Sequence, residues 1–183
     1  VFDGIDSQDV IDAAVGYNFR LPEPLAALGY AQIQKVELLN GIRKKNYRAL
    51  ADGLSRFSFL KLAKNTNDDG EFTPYCVGLT FTQPGISRNT FAEALRAEGI
   101  PVATGFPRLL NENPYTREDV SHTPNAKALN DEKYLAFFQV GNPNTPDDMQ
   151  DIVRAVAKLE QNFGELARLN DEFSRKREYT TGR

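Results

Sequence analysis

The chain predicts a small α/β or α+β layer, and three observations carry that expectation. Helical and strand patterns alternate in the order helix, long helix, strand, strand, helix, strand, loop, strand, helix. Strands spaced by helices, with one apolar face to cover, form a sheet with helices packed on it. Hydrophobic residues make up 40% and charged residues 26%, close to globular averages, which excludes whole-chain disorder. The length, 183 residues, suits one domain or a large piece of one.

The elements follow from local signals. Gly16 to Glu23 reads as an irregular turn, with Pro22 suited to a first helical turn and Glu23 to its positive end. Leu25, Leu28, Ile33, Val36, Leu39, Ile42, Tyr47, Leu50 and Leu54 then recur at helical intervals. Gly29, Gly41 and Gly53 interrupt them, which predicts a short helix, a bend, and a longer helix ending near Gly53. Lys35, Arg43, Lys44, Lys45 and Arg48 give this element a basic, solvated side. Phe57–Leu62 is short and β-compatible, and Asn65 to Gly70 is a polar turn. That turn lacks the closing glutamate of a calcium loop, because Cys76 stands in its place.

Tyr75–Phe81 predicts a buried strand in which Cys76 is a small core hydrophobe. Ser87 caps a helix carrying Phe91, Ala94 and Leu95, and Gly99 ends it. Ile100–Thr104 predicts another strand. Residues 105–130 are long and poorly patterned, as functional loops often are; His122 is expected there as an exposed side chain. Leu135–Val140 predicts the last strand. Thr145, Pro146, Asp147 and Asp148 start the last helix, whose apolar period runs from Met149 to Leu169. The tail from Ser174 is polar.

Several function classes drop out. Lys and Arg total 22 against 25 Asp and Glu, a net charge of −3, too balanced for a nucleic-acid binder. A single cysteine and a single histidine exclude a cysteine-based zinc site and His-rich metal centres. Asp3, Asp6, Asp9 and Asp12 form a solvated acidic face rather than a metal site. No stretch is long enough to span a membrane, and no basic-then-apolar leader opens the chain, so a cytoplasmic location is expected. The only methionine is Met149, so the chain is expected to be a fragment or processed product.

No self-sufficient catalytic motif is present: no phosphate-cradling glycine loop, no nucleophile elbow, no His-Glu-x-x-His. Gly16 to Gly29 is the informative stretch. Asn18 offers a neutral donor and Arg20 a charged fork for phosphate or carboxylate, beside a helix start. On these residues alone, a well-capped turn is the stronger alternative.

Gly16-Tyr17-Asn18-Phe19-Arg20-Leu21-Pro22-Glu23 and the following Ala26 to Lys35 resemble the glycine-tyrosine-asparagine-tyrosine-arginine segment and helix of the DegT family. These are sugar aminotransferases of pyridoxal phosphate (PLP) fold type I. Arg43–Leu54, Tyr75–Phe81, Phe91–Ile100, Phe106-Pro107 and Thr145–Val156 continue the likeness, which covers about residues 15–165. The resemblance implies the end of the large PLP-binding domain over 1–33, a small α+β C-terminal domain over 34–170, and a polar tail over 171–183. It implies a homodimer with a shared active site, in which PLP is held by a lysine upstream of Val1 and an amino group passes from glutamate or glutamine to a keto sugar, usually nucleotide-linked. No catalytic residue then lies in this chain. By position, Tyr17, Asn18 and Arg20 are the cofactor-binding residues, with Asn18 reaching the cofactor phosphate across the dimer. Phe106 and Arg108 belong to the loop that approaches substrate. Leu109, Leu110 and Asn111 replace the histidine the family often carries there, and Asn142-Pro143-Asn144 replaces its usual leucine-proline. Two other readings share these residues: a PLP-dependent sugar dehydratase with histidine for the lysine, and a non-enzymatic dimerisation domain.

Overall fold

The structure, a computed structural model, describes residues 20–63, 72–107, 109–112 and 123–170. The acidic run before residue 20, the turn at Asn65–Gly70, His122 and the tail after residue 170 lie outside the described residues. The chain divides into two units between Glu37 and Leu38, and each is described by itself.

The described part of the first unit is dominated by helix α1, Glu23–Ile33. Pro22 is its N-cap rather than its first residue, and Pro24 occupies the first turn. None of its residues is buried: Leu25, Leu28, Tyr30 and Ile33 are all exposed. The expected bend falls at Gln34–Lys35, where the Lys35 N–H turns back to the Gln32 carbonyl (3.0 Å), and not at a glycine. A tightened turn of this kind ends an α-helix without needing a special residue.

Helix α2, Val36–Leu54, runs on through Gly41. The helix ends at Leu54, next to Gly53, as the sequence predicts. A Cβ on Gly53 would lie 2.5 Å from a methyl of Val153, so the glycine lets two helix backbones approach. Leu50 and Leu54 are fully buried on this side. Asn46, also buried, donates from Nδ2 to the carbonyls of Val140 (3.2 Å) and Asn144 (2.7 Å), tying α2 to the loop before the last helix.

Strands β1 (Leu60–Leu62), β2 (Val77–Phe81) and β3 (Tyr134–Phe137) form one antiparallel sheet in that order. Leu60 pairs with Phe81, and Leu79 pairs with both Leu62 and Leu135. Along β2, Val77, Leu79 and Phe81 are buried while Gly78 and Thr80 are only half-buried, the alternation of a strand with one core face. Three boundaries move from the sequence expectation. Tyr75 is exposed and Cys76 half-buried, because β2 starts after them. Ile100–Thr104 makes only one bridge, Ala103 to Ala136, and is not a strand. The last strand is Tyr134–Phe137, ending before Val140.

Helix α3, Arg88–Ala97, is capped as its sequence dictates. Ser87 Oγ accepts from the Thr90 N–H (3.1 Å). At the other end Ile100 N–H reaches the Leu95 carbonyl and Gly99 N–H the Arg96 carbonyl, with Gly99 at φ +82°. That is the paired closure glycine makes cheap in the left-handed region. Helix α4 (Pro124–Ala128) leads through a π-turn, Leu129–Lys133, into β3. Helix α5 (Pro146–Gln161) buries Met149, Ile152, Val153, Val156 and Leu159. Phe59, Phe81, Phe91 and Phe163 meet where β2, α3 and the segment after α5 converge.

The start of α5 makes a pH prediction. Asp148 accepts from the Thr145 hydroxyl and backbone N–H (2.7 Å each), and those hydrogen bonds hold its carboxyl below the usual carboxylate range. The folded state thus favours the charged form. Its contribution is fully present above the unfolded-state pKa and is lost as pH falls through the lower folded value. Asp148→Asn is expected to lower stability at neutral pH and to flatten the acid limb of a stability–pH curve measured by urea unfolding between pH 2 and 6; an unchanged acid limb would show the cap to be silent.

Candidate functional site

Of the residues the sequence singled out, Tyr17, Asn18 and Arg108 lie outside the described residues. Arg20 is exposed and stands just ahead of α1. The start of α1 is a weaker anion site than the sequence suggested: Pro24 has no N–H to offer and Glu23 places a carboxylate there. Phe106 belongs to the other unit and is 71% exposed.

Around Phe106, which the family likeness singled out, the structure assembles a cavity whose other walls the sequence did not mark. Phe106, Leu109, Ala126, Leu129, Asn130 and Tyr134 line a largely apolar cavity of about 280 Å³. The loop reaches it through Gly105, at φ +99°. Phe106 N–H donates to Asn130 Oδ1 (2.7 Å), and Asn130 Nδ2 donates back to the Phe106 carbonyl (3.2 Å). At the cavity wall, burial pushes the Tyr134 phenol up, and Cys76 beside it adds to the shift. Lys127 pairs with Asp131 (2.8 Å) and Glu112 (3.4 Å), and the Asp131 hydrogen bond is the main reason its ammonium is held above its ordinary range.

Arg88 underpins this region. It is only 2% exposed. Its Nη1 donates to the carbonyls of Thr104 (2.6 Å), Tyr134 (2.9 Å) and Asn130 (3.0 Å), its Nη2 to that of Asp131 (2.5 Å), and its Nε to Asn89 Oδ1 (2.8 Å). The π-turn re-aims backbone carbonyls, and the planar guanidinium collects them. One local signal was available: a cation in the first turn of α3 opposes the helix dipole, so something else must hold it. Nothing local marked Asn130 or Asn46, whose partners are distant in sequence.

Among the described residues no helix is long and apolar enough to cross a membrane. No curated protein matches the chain. Solved structures do. The aminotransferase TlmJ from Streptoalloteichus hindustanus is 16% identical with a TM-score of 0.67, over 82% of this chain and 40% of its own. DesV from S. venezuelae is 19% identical with a TM-score of 0.67, over 80% and 38%. The E. coli GDP-4-keto-6-deoxy-D-mannose-3-dehydratase, solved with bound hydrated PLP, is 20% identical with a TM-score of 0.59, over 82% and 40%. The chain therefore spans about two fifths of the length of these neighbours. Their shared architecture is the PLP-dependent fold type I, and the mixed α/β arrangement here matches part of it. The model of the DegT/DnrJ/EryC1/StrS aminotransferase family matches residues 2–157, and the chain belongs to that family.

Proposed function

We propose that this chain is the C-terminal part of a PLP-dependent aminotransferase that passes an amino group from glutamate or glutamine to a keto sugar, usually nucleotide-linked. The observation that carries the reading is the family match over residues 2–157, together with a fold shared with the E. coli GDP-4-keto-6-deoxy-D-mannose-3-dehydratase. Residues 1–33 close the large domain, 34–170 are the small domain and 171–183 a polar tail. The assembled enzyme is a homodimer with a shared active site and works in the cytoplasm. Its PLP-bearing lysine is contributed from outside these residues, so the chain does not transaminate alone. The apolar surface of α1 supports this arrangement: a helix of 11 residues with no buried face needs cover to persist in water.

PLP, when bound, supplies the electron sink for amine exchange. The residues of this chain hold and orient. Asn18 would donate its amide to a phosphate oxygen, Arg20 would either meet the same anionic end or hold the turn in place, and Tyr17 completes the cofactor-binding set. The donor chemistry of Arg20, exposed ahead of α1, fits a phosphate. Phe106 and Arg108 approach the sugar. A second reading, a sugar dehydratase, is favoured by the E. coli neighbour and differs in the residue that replaces the lysine.

The test uses the PLP-loaded enzyme that contains this chain, with glutamate and a panel of nucleotide-linked keto sugars, read by mass spectrometry. An amine in place of the keto oxygen is expected; loss of water from the sugar instead selects the dehydratase. In the same enzyme Asn18→Ala is expected to weaken PLP binding by about tenfold, the cost of one hydrogen bond to a charged group. Unaltered PLP affinity removes Asn18 from the site.

A further inference from the structure

We propose that Asn130 is a positioning residue: its carboxamide pairs with both backbone groups of Phe106 and sets the angle at which that aromatic ring meets the sugar. The inference rests on the reading of the Phe106 loop as a substrate loop, and adds to it the group that holds the loop in place. Phe106 itself makes contact; Asn130 acts through it.

The geometry carries the argument. A primary amide offers an acceptor and a donor in one plane, as a neighbouring strand would. Here both are used on one residue: Oδ1 takes the Phe106 N–H at 2.7 Å, and Nδ2 returns a hydrogen bond to the Phe106 carbonyl at 3.2 Å. Phe106 is otherwise an exposed loop residue between Gly105 and Pro107. A double clamp on such a residue fixes its backbone dihedrals, and with them the direction of its side chain.

The clamp is itself braced from behind. Arg88 donates to the carbonyl of Asn130 and to that of Thr104, so one buried guanidinium holds both sides. Asn130 sits in the π-turn Leu129–Lys133, closed by the Tyr134 N–H on the Leu129 carbonyl. Such turns are uncommon and recur at functional sites. Gly105 completes the device. A Cβ there would lie 2.6 Å from Asn130 Oδ1 and 2.8 Å from its carbonyl oxygen, and the backbone stands at φ +99°. Only glycine permits the approach. The clamped ring borders the apolar cavity with Leu109, Leu129 and Tyr134, a wall suited to the C–H face of a sugar ring rather than to its hydroxyls.

The test compares Asn130→Ala with Phe106→Ala in two settings. In the 183-residue chain, hydrogen exchange is expected to speed up about tenfold at the Phe106 amide in Asn130→Ala, with the amides of β2 unchanged. In the PLP-loaded enzyme, the same variant is expected to raise KM for the keto sugar about five- to tenfold, with KM for the amino donor and the cofactor absorbance unchanged. A purely structural role would not separate the two substrates. Unchanged exchange at Phe106 overturns the clamp. Faster exchange with unchanged sugar KM, where Phe106→Ala does raise it, overturns the positioning role. If Phe106→Ala itself leaves sugar KM unchanged, the substrate-loop reading falls and the inference falls with it.

Discussion

Arg88→Met is expected to lower the unfolding free energy by about 3–5 kcal/mol, the largest effect of any single polar substitution considered for this fold. Methionine keeps most of the buried stem but removes every donor. The carbonyls of Thr104, Asn130, Asp131 and Tyr134 then lose a charge-assisted partner in a part-buried region. Each acceptor left dry costs about 1–3 kcal/mol, partly recovered as the π-turn relaxes. Arg88→Lys is expected to recover less than half of the loss, since an ammonium cannot reproduce a planar fork that spans several carbonyls. Chemical denaturation followed by circular dichroism measures the change, and hydrogen exchange locates it at residues 130–135. A loss below about 1 kcal/mol for Arg88→Met would mean that water reaches these carbonyls and that the guanidinium is not a keystone.

Phe91→Ala is expected to cost about 3–5 kcal/mol by a different route, an unfilled cavity. Phe91 is fully buried and stacks on Phe81 with ring centroids 4.6 Å apart at 24°. Its other neighbours are Phe59 at 5.9 Å and Phe163 at 6.4 Å, in near-perpendicular contacts. These rings join β2, α3 and the segment after α5, so the void opens where separate elements meet and none can slide in to fill it alone. Phe91→Leu is expected to cost less than half as much, because leucine restores most of the volume but not the ring edges. Urea midpoints with unchanged slopes measure both changes. Equal costs for alanine and leucine would place the effect in lost ring contacts rather than in the cavity.

Elements announced by short-range chemistry were legible before any coordinates. Ser87 and Gly99 bracket α3, and Thr145 with Asp148 opens α5, because a cap is satisfied within three or four residues of itself. The apolar period from Met149 to Leu159 and the alternation of Val77, Leu79 and Phe81 were read the same way. Features set by distant partners were not. Gly53 sits at the helix end the sequence predicts, but the room it makes for Val153, far along the chain, was not legible. Ile100–Thr104 has strand composition but finds one bridging partner, Ala136. The site divides likewise. Phe106 was singled out through the family pattern of its loop, whereas Asn130 and Arg88, which hold that loop, bear no motif.

The amino-acid sequence by itself determined the family, the helix caps and the alternation of apolar faces, since these depend on residue type and on neighbours a few positions away. Only the tertiary structure decided which strands pair, where Gly53 is needed, and how Arg88 and Asn130 converge on the Phe106 loop. The physical reason is that a buried polar group must find its partner wherever the folded backbone presents one, and the chain distance to that partner leaves no periodic mark.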